Sequence, residues 1–362
     1  MSRRVQNVEL DISNDHVVLY SICLLLLTIQ LAVSCGSYSG KNKPKMFGDF
    51  EAQRHWMEIT FNLPINLWYV NDTNNDLNYW GLDYPPLTAY HSYIMGVINS
   101  KRLSLLTYTG KSHKLFMRIS VLITFWIIYI PPIIAYIEFF SFYKPKNLYF
   151  MIAILYPGII SLDNGHFQYN HISLGIFLIS FICLISRYFT LSSILFVLAF
   201  NYKQMELYHS LPIAVFLLST AYYSFFQDLT INNFCHLFKL FVAVVLTFSV
   251  LWFPFFYHGV AFDVLKRIFP FYRGLFEDKV ANFWCTFSVL IKFKSLFSIE
   301  YFTVVVLLVV LPSLLILFAQ PTSVNFKISL FISSLAFFLF SFQVHEKSIL
   351  IAAVWVISNN SF

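Results

Sequence analysis

Five polar clusters stand beside apolar runs in a chain otherwise poor in charge, and each holds side chains able to do chemistry. The first is Gly48-Asp49-Phe50-Glu51-Ala52-Gln53-Arg54-His55-Trp56, where Asp49 or Glu51 suits a general base. An Asp-x-Glu pair also suits a hard cation, but nothing else in the segment supplies the oxygen cage such an ion needs. The second is Trp80-Gly81-Leu82-Asp83-Tyr84-Pro85-Pro86. Its prolines enforce an extended entry into the next helix and set Asp83 near that helix's N-terminus, where the dipole favours an anion. The third, Asp163-Asn164-Gly165-His166-Phe167-Gln168-Tyr169-Asn170, gathers six hydrogen-bonding side chains between apolar runs. Burying them unpaired is costly, so they are expected to face a cavity or water. The last two, from Arg273 to Trp284 and Gln343-Val344-His345-Glu346-Lys347, put cations at the ends of apolar runs.

Each cluster also has a plainer reading. The first fits a short amphipathic surface helix with Phe50, Trp56 and Met57 as interfacial anchors. The second fits a helix cap, the third a connecting turn, and the last two fit snorkelling anchors. Residue types alone leave these readings open beside the catalytic ones. Other chemistries are excluded more firmly. His345-Glu346-Lys347 lacks the second histidine of a zinc-protease helix, and no GxGxxG or Walker sequence is present, which argues against a soluble nucleotide site.

The elements that must position these residues follow from composition. Of 362 residues, 58% are hydrophobic, 20% aromatic and 12% charged. A soluble domain carries about 25% charged residues, and one core of this size cannot hide such an apolar excess. The expectation is an all-α polytopic membrane protein. The net charge of +6 is spread in small groups and reads as an orientation signal, not as nucleic-acid binding. Five cysteines without a CxxC pair indicate neither a disulfide framework nor a zinc site.

Apolar runs lie at 17–35 and near 86–99, 115–137, 148–161, 172–186, 189–202, 207–226, 238–257, 301–319, 326–343 and 348–358, which gives about ten or eleven candidate spans. Arg3 and Arg4 precede the first run and predict a cytosolic N-terminus. The polar stretch 36–85 then becomes a large first lumenal or extracellular loop, and Asn71-Asp72-Thr73 is a glycosylation sequon within it. Lys101, Arg102, Lys111, Lys114 and Arg118 predict a cytosolic segment between 101 and 118. The side on which 163–170 falls depends on whether 86–99 and 148–161 both cross. No repeat or soluble domain breaks the chain, so residues 1–362 read as a single membrane-embedded domain.

Six motifs in order carry a resemblance: GDFEAQRHWMEIT (Gly48–Thr60), WGLDYPPLTAYHS (Trp80–Ser92), DNGHFQYN (Asp163–Asn170), KQMELY (Lys203–Tyr208), RGLFEDKVANFWC (Arg273–Cys285) and VHEKSIL (Val344–Leu350). The chain resembles the dolichyl-phosphate-glucose-dependent α-1,3-glucosyltransferases of the endoplasmic reticulum, and the run after Gly81 looks like the enzyme that adds the first glucose. The resemblance implies a GT-C-type membrane fold in the endoplasmic reticulum membrane, with a lumenal active site. It implies inverting transfer of glucose from dolichyl phosphate β-glucose to a terminal mannose of dolichyl-diphosphate-linked Man9GlcNAc2, with no nucleotide sugar, cofactor or metal. It also implies roles: Asp49 as base with Asp83 as runner-up, and His345 on the donor phosphate with Arg273 and Lys347 as weaker candidates. Glu51, Trp56, Trp80, Asp163, His166 and Gln168 are the expected substrate contacts. Two departures stand out: Asn164 replaces a usual histidine, and the family continues with further spans beyond His345, so the chain reads as a C-terminally shortened form. Alternatives are the sibling enzyme that adds the second glucose, an inactive truncated product and, remotely, a membrane transporter. A transporter would carry charge deep within its spans or paired broken helices in two halves.

Overall fold

A computed structural model describes residues 2–43, 47–100, 111–140, 146–227, 231–269, 280, 282–288, 290–291, 298–341 and 344–359. A chain this apolar must satisfy its backbone polar groups within its own segments, and helices do so. The apolar runs accordingly form α1 (Ser2–Cys35), α3 (Pro86–Ser100), α4 (Lys111–Thr124), α5 (Ile130–Phe140), α6 (Lys146–Ile154), α7 (Pro157–Ile159), α8 (Asn170–Ile185), α9 (Phe189–Tyr202), α10 (Ser210–Gln227) and α11 (Ile231–Tyr257). They continue as α14 (Ile299–Ala319), α15 (Ser323–Phe340) and α16 (Ile349–Asn359). The first polar stretch supplies α2 (Asp49–Asn62), and α12 (Ala261–Ile268) and α13 (Phe283–Phe287) are short connecting helices. No strand occurs among the described residues. The protein is all-α and polytopic.

Six helical stretches are long and apolar enough to cross a bilayer: His16–Cys35, Ser112–Phe140, Lys146–Phe167, Leu237–Tyr257, Glu300–Ala319 and Ser323–Phe340. Of the ten or eleven candidate spans expected, the runs near 86–99, 172–186, 189–202, 207–226 and 348–358 form helices outside this group. Asn170–Ile185 and Phe189–Tyr202 are shorter apolar helices.

Two spans contain π-helical turns. Between α4 and α5 the turn is Phe125–Tyr129, just before Pro131 and Pro132. Proline has no N–H, so the carbonyls four residues earlier lose their usual donors and the helix widens there. Gly175 of α8 approaches this bulge so closely that a Cβ would lie 2.4 Å from the Ile128 carbonyl oxygen. The second π turn, Ile160–Phe167, ends the next span and carries the third polar cluster.

The helix α3 covers the candidate run at 86–99. It packs along α2, with Gly96 against the Met57 backbone. Asn99 Nδ2 hydrogen-bonds His113 Nδ1 (2.9 Å). As a result, the start of α4 stands beside the first loop. Lys114 Nζ donates to the Gly36 carbonyl (2.7 Å), and Arg118 Nη2 donates to Gly165 (3.0 Å) and Ser37 (3.4 Å). Lys114 and Arg118, expected on the opposite side to the first loop, thus bind carbonyls at its own end of the bundle, while Lys101 and Arg102 lie outside the described residues. Segment 163–170 meets the same loop there.

The surface-helix reading of α2 is also corrected. Phe50, Trp56 and Met57 are buried at 2%, 4% and 1% exposure, too deep for interfacial anchors. Phe50 and Met57 pack with Met117, Phe167 and Tyr202, while Trp56 joins Tyr69, Leu82, Trp252 and Phe255. A third and larger core runs between α1, α5, α8, α10 and α16.

Candidate active site

The sequence of α2 delivers Asp49 to its first helical position. Gly48 takes an extended conformation as N-cap, and Ser39 Oγ accepts the Phe50 N–H (3.2 Å). A carboxylate in that first turn is favoured by the exposed N–H groups of the helix start. Three side chains from distant elements converge on its Oδ2. His166 Nε2 lies at 2.8 Å, Gln168 Nε2 at 2.7 Å, and Lys347 Nζ forms an ion pair with it. His166 and Gln168 come from the end of the second π turn, where Phe167 takes φ +86° and Gln168 is extended, so the two flank a sharp reversal. Lys347 comes from a 3-10 turn (Glu346–Ser348) that follows α15. Burial alone would push the Asp49 carboxyl up, toward weaker acidity. The hydrogen bonds and charges of His166 and Lys347 outweigh it and hold the carboxyl well below the usual carboxylate range.

Behind this cluster the polar side chains are ordered by a buried carboxylate. Asp163 is fully buried, and its Oδ2 accepts from the His171 N–H (2.8 Å) and hydrogen-bonds His171 Nδ1 (2.7 Å). Its Oδ1 accepts from Asn170 Nδ2 (2.6 Å). Asn170 Nδ2 also donates to Gln168 Oε1 (3.0 Å). The amide of Gln168 is thereby oriented, oxygen inward and N–H toward Asp49. The substrate contact expected of Asp163 is corrected: it lies in this inner layer, away from any open surface.

Two other expected contacts, Glu51 and Trp56, have partners elsewhere. Glu51 accepts both Nη2 (2.7 Å) and Nε (2.8 Å) of Arg54, together with the Tyr79 hydroxyl (2.9 Å). Arg54 Nη1 in turn reaches Glu58 (2.7 Å), so Glu51 belongs to a buried ion cluster. Trp56 donates its indole N–H to the Trp80 carbonyl (2.8 Å) and packs on Tyr84. Trp80 itself takes φ +48° and is half-buried. Asp83 is half-buried too, and its carbonyl accepts from Gln204 Nε2 (3.4 Å). Burial, followed by the charges of Asp83, Asp49 and Asp163, raises the Tyr84 phenol well above its ordinary range. His345 caps the turn that carries Lys347. Arg273 lies outside the described residues. Asn164, the departure noted above, points to α1, where its Oδ1 accepts from Gln30 Nε2 (3.3 Å).

A sequence model of the ALG6, ALG8 glycosyltransferase family matches residues 21–358. The chain belongs to this family. A Caenorhabditis elegans relative named probable dolichyl pyrophosphate Man9GlcNAc2 alpha-1,3-glucosyltransferase is 50% identical over 98% of this chain and 71% of its own length. A Gallus gallus relative with the same name, without the qualifier, is 49% identical over 91% of this chain and 68% of its own. A Schizosaccharomyces pombe relative, again named as probable, is 39% identical over 92% of this chain and 68% of its own.

Within this family member, the site includes residues that reasoning from residue types left unassigned. Lys203 caps α9 at 6% exposure, donates to Asn170 Oδ1 and lies 5.4 Å over the Tyr84 ring. Glu206 accepts from Ser173 Oγ (2.8 Å) and pairs with His209 Nδ1 (2.9 Å), while Trp355 of α16 donates to His209 Nε2 (2.8 Å). Residues 204–209 are 3-10 helical, with about three residues per turn, so Glu206 and His209 share a face in line with Lys203. That three-residue spacing was the available signal. Among the described residues no group of three or more His, Cys, Asp or Glu side chains could hold a metal ion.

Proposed function

We propose that this chain is a dolichyl-phosphate-glucose-dependent α-1,3-glucosyltransferase. It transfers glucose with inversion from dolichyl phosphate β-glucose to the terminal mannose of Man9GlcNAc2 on dolichyl pyrophosphate. The reaction is the first glucosylation of the N-glycan precursor, and its place is the lumenal face of the endoplasmic reticulum membrane, among that membrane's lipids. The observation that carries the reading is the convergence of a carboxylate and two basic side chains at Asp49, in a chain whose relatives bear that activity in their names.

Inverting transfer is one in-line displacement through an oxocarbenium-like state. The acceptor hydroxyl oxygen forms the new bond to the anomeric carbon, and its proton passes to Asp49. The old C–O bond breaks, and its electron pair leaves with dolichyl phosphate. The phosphate gains charge as it departs, so cations that hold it more tightly late in the reaction lower the barrier. Lys347 and His345 are the residues assigned to it, with Arg273 as a further candidate. In the free protein Lys347 and His166 make Asp49 a very weak base. An incoming phosphate competes for Lys347 and returns basicity to Asp49 when the donor is in place. His166 and Gln168 keep the carboxylate aimed throughout. Residues 1–362 act here as one catalytic unit.

The test is complementation and direct assay. In cells that lack the first glucosyltransferase, this chain should restore glucosylated lipid-linked oligosaccharide. Purified protein should use nine-mannose acceptor without glucose in preference to acceptor that already carries one. Preference for the glucosylated acceptor would assign it to the second step instead. Failure with both acceptors, in folded protein, rejects the reading.

A further inference from the structure

Lys203 is a buried cation at this end of the bundle that the reaction above leaves unused. Its side chain lines two adjoining clefts, and Asn170 lines both with it. One of them is also lined by Lys347, with the core residues Leu174, Met205 and Leu350 at its back. The ammonium meets a neutral amide oxygen and an aromatic ring, Asn170 Oδ1 and Tyr84. The carboxylates around it are bound to other partners: Asp49 to Lys347 and His166, Asp163 to His171, and Glu206 to His209 and Ser173. A buried charge is costly unless an opposite charge reaches it. Two ammonium groups on one small cleft match a compact anionic group such as a phosphate.

We propose that Lys203 is a binding residue for the phosphate of the polyprenyl-phosphate donor, gripping it from the α9 side while Lys347 approaches from the turn before α16. The assignment rests on the glucosyl-transfer reading and adds a residue to it. Asn170, held by Asp163, positions the ammonium. Burial and then the Lys347 charge draw the Lys203 ammonium down to about 8, against Asp163, Asp49 and Glu206, which pull it up. An anion bound at Lys203 favours the protonated form. Affinity therefore falls as pH rises through about 8. Arginine keeps its charge in that range, so Lys203→Arg removes the fall.

The experiment measures binding of farnesyl phosphate, with farnesol as the uncharged control, to the full purified chain across this pH range. The expected results are a pH-dependent affinity in the parent, a flat profile in Lys203→Arg, and binding weakened about tenfold or more in Lys203→Met, the scale of one lost charge-assisted hydrogen bond. Farnesol binding should not change. If Lys203→Met does not fold, the Lys203→Arg profile decides. Superimposable profiles for parent and Lys203→Arg overturn the Lys203 assignment while glucose transfer by the parent stands. A parent that neither binds farnesyl phosphate nor transfers glucose overturns both.

Discussion

Lys347 and Asp49 lie 298 positions apart in the chain and form one ion pair. The pair ties the turn before the last described helix to the first helix of the loop, and so joins the two ends of the bundle's connectivity at one carboxylate. It also means that the proposed base is neutralised by a cation that the donor's phosphate will seek.

Replacement of Asp49 by Asn keeps the size and one hydrogen-bonding oxygen but removes the base. Turnover of purified protein is expected to fall by about 10²–10⁴-fold, the usual worth of general-base catalysis. Farnesyl phosphate binding should persist. Near-parental turnover would remove Asp49 from that role.

Lys347→Met tests the hold on the base. Burial pushes Asp49 up, and His166 and Lys347 pull it down further than burial raises it. Without Lys347 the carboxyl protonates at a higher pH. The acid limb of kcat/KM against pH should move upward, and donor use should weaken at the same time. An unmoved acid limb would contradict the coupling. His345→Ala should weaken donor use without that shift.

The Arg54 cluster gives a stability prediction. Its side chain is 10% exposed between Glu51 and Glu58, each at 11%. Arg54→Leu leaves two carboxylates without their cation, and removing one member of a buried pair costs about 3–5 kcal/mol. Thermal unfolding in detergent should show a large fall in Tm. Adding Glu51→Gln and Glu58→Gln to the same chain should recover part of it.

Gly175→Ala should also destabilise, through overpacking. The new methyl would meet the Ile128 carbonyl oxygen at 2.4 Å, a backbone atom that cannot swing aside. Overpacking of this kind costs about 1–3 kcal/mol. Asn170 and His171 begin the same helix, so activity should fall together with Tm. A parental Tm would show that the π turn can yield.

Much of this was legible beforehand, for physical reasons. Apolar runs had to be helical, because no other structure satisfies the backbone in lipid. Asp49, His166, Gln168 and Lys347 stood out as polar residues in an apolar chain, and they do meet. What the residues could not reveal was pairing. Asp163 and His166 look equivalent in a string of six polar side chains, yet a π turn sends one inward to His171 and the other outward to Asp49. The packing of α3 on α2 depends on Gly96, whose missing side chain mean apolarity does not register. The burial of Lys203 at 6% is not legible locally, because it depends on Tyr84 and Asn170 from elsewhere in the chain.

The widened turn at Ile160–Phe167 has a consequence for how the protein can change. A π turn holds one residue more than the regular spiral, and that surplus is what lets neighbouring side chains look in opposite directions. Loss of a single residue within it would restore the regular spiral and turn Asp163 and His166 onto other faces, away from His171 and Asp49. The distance between an inert crossing and a working one is, at this point of the chain, a single codon.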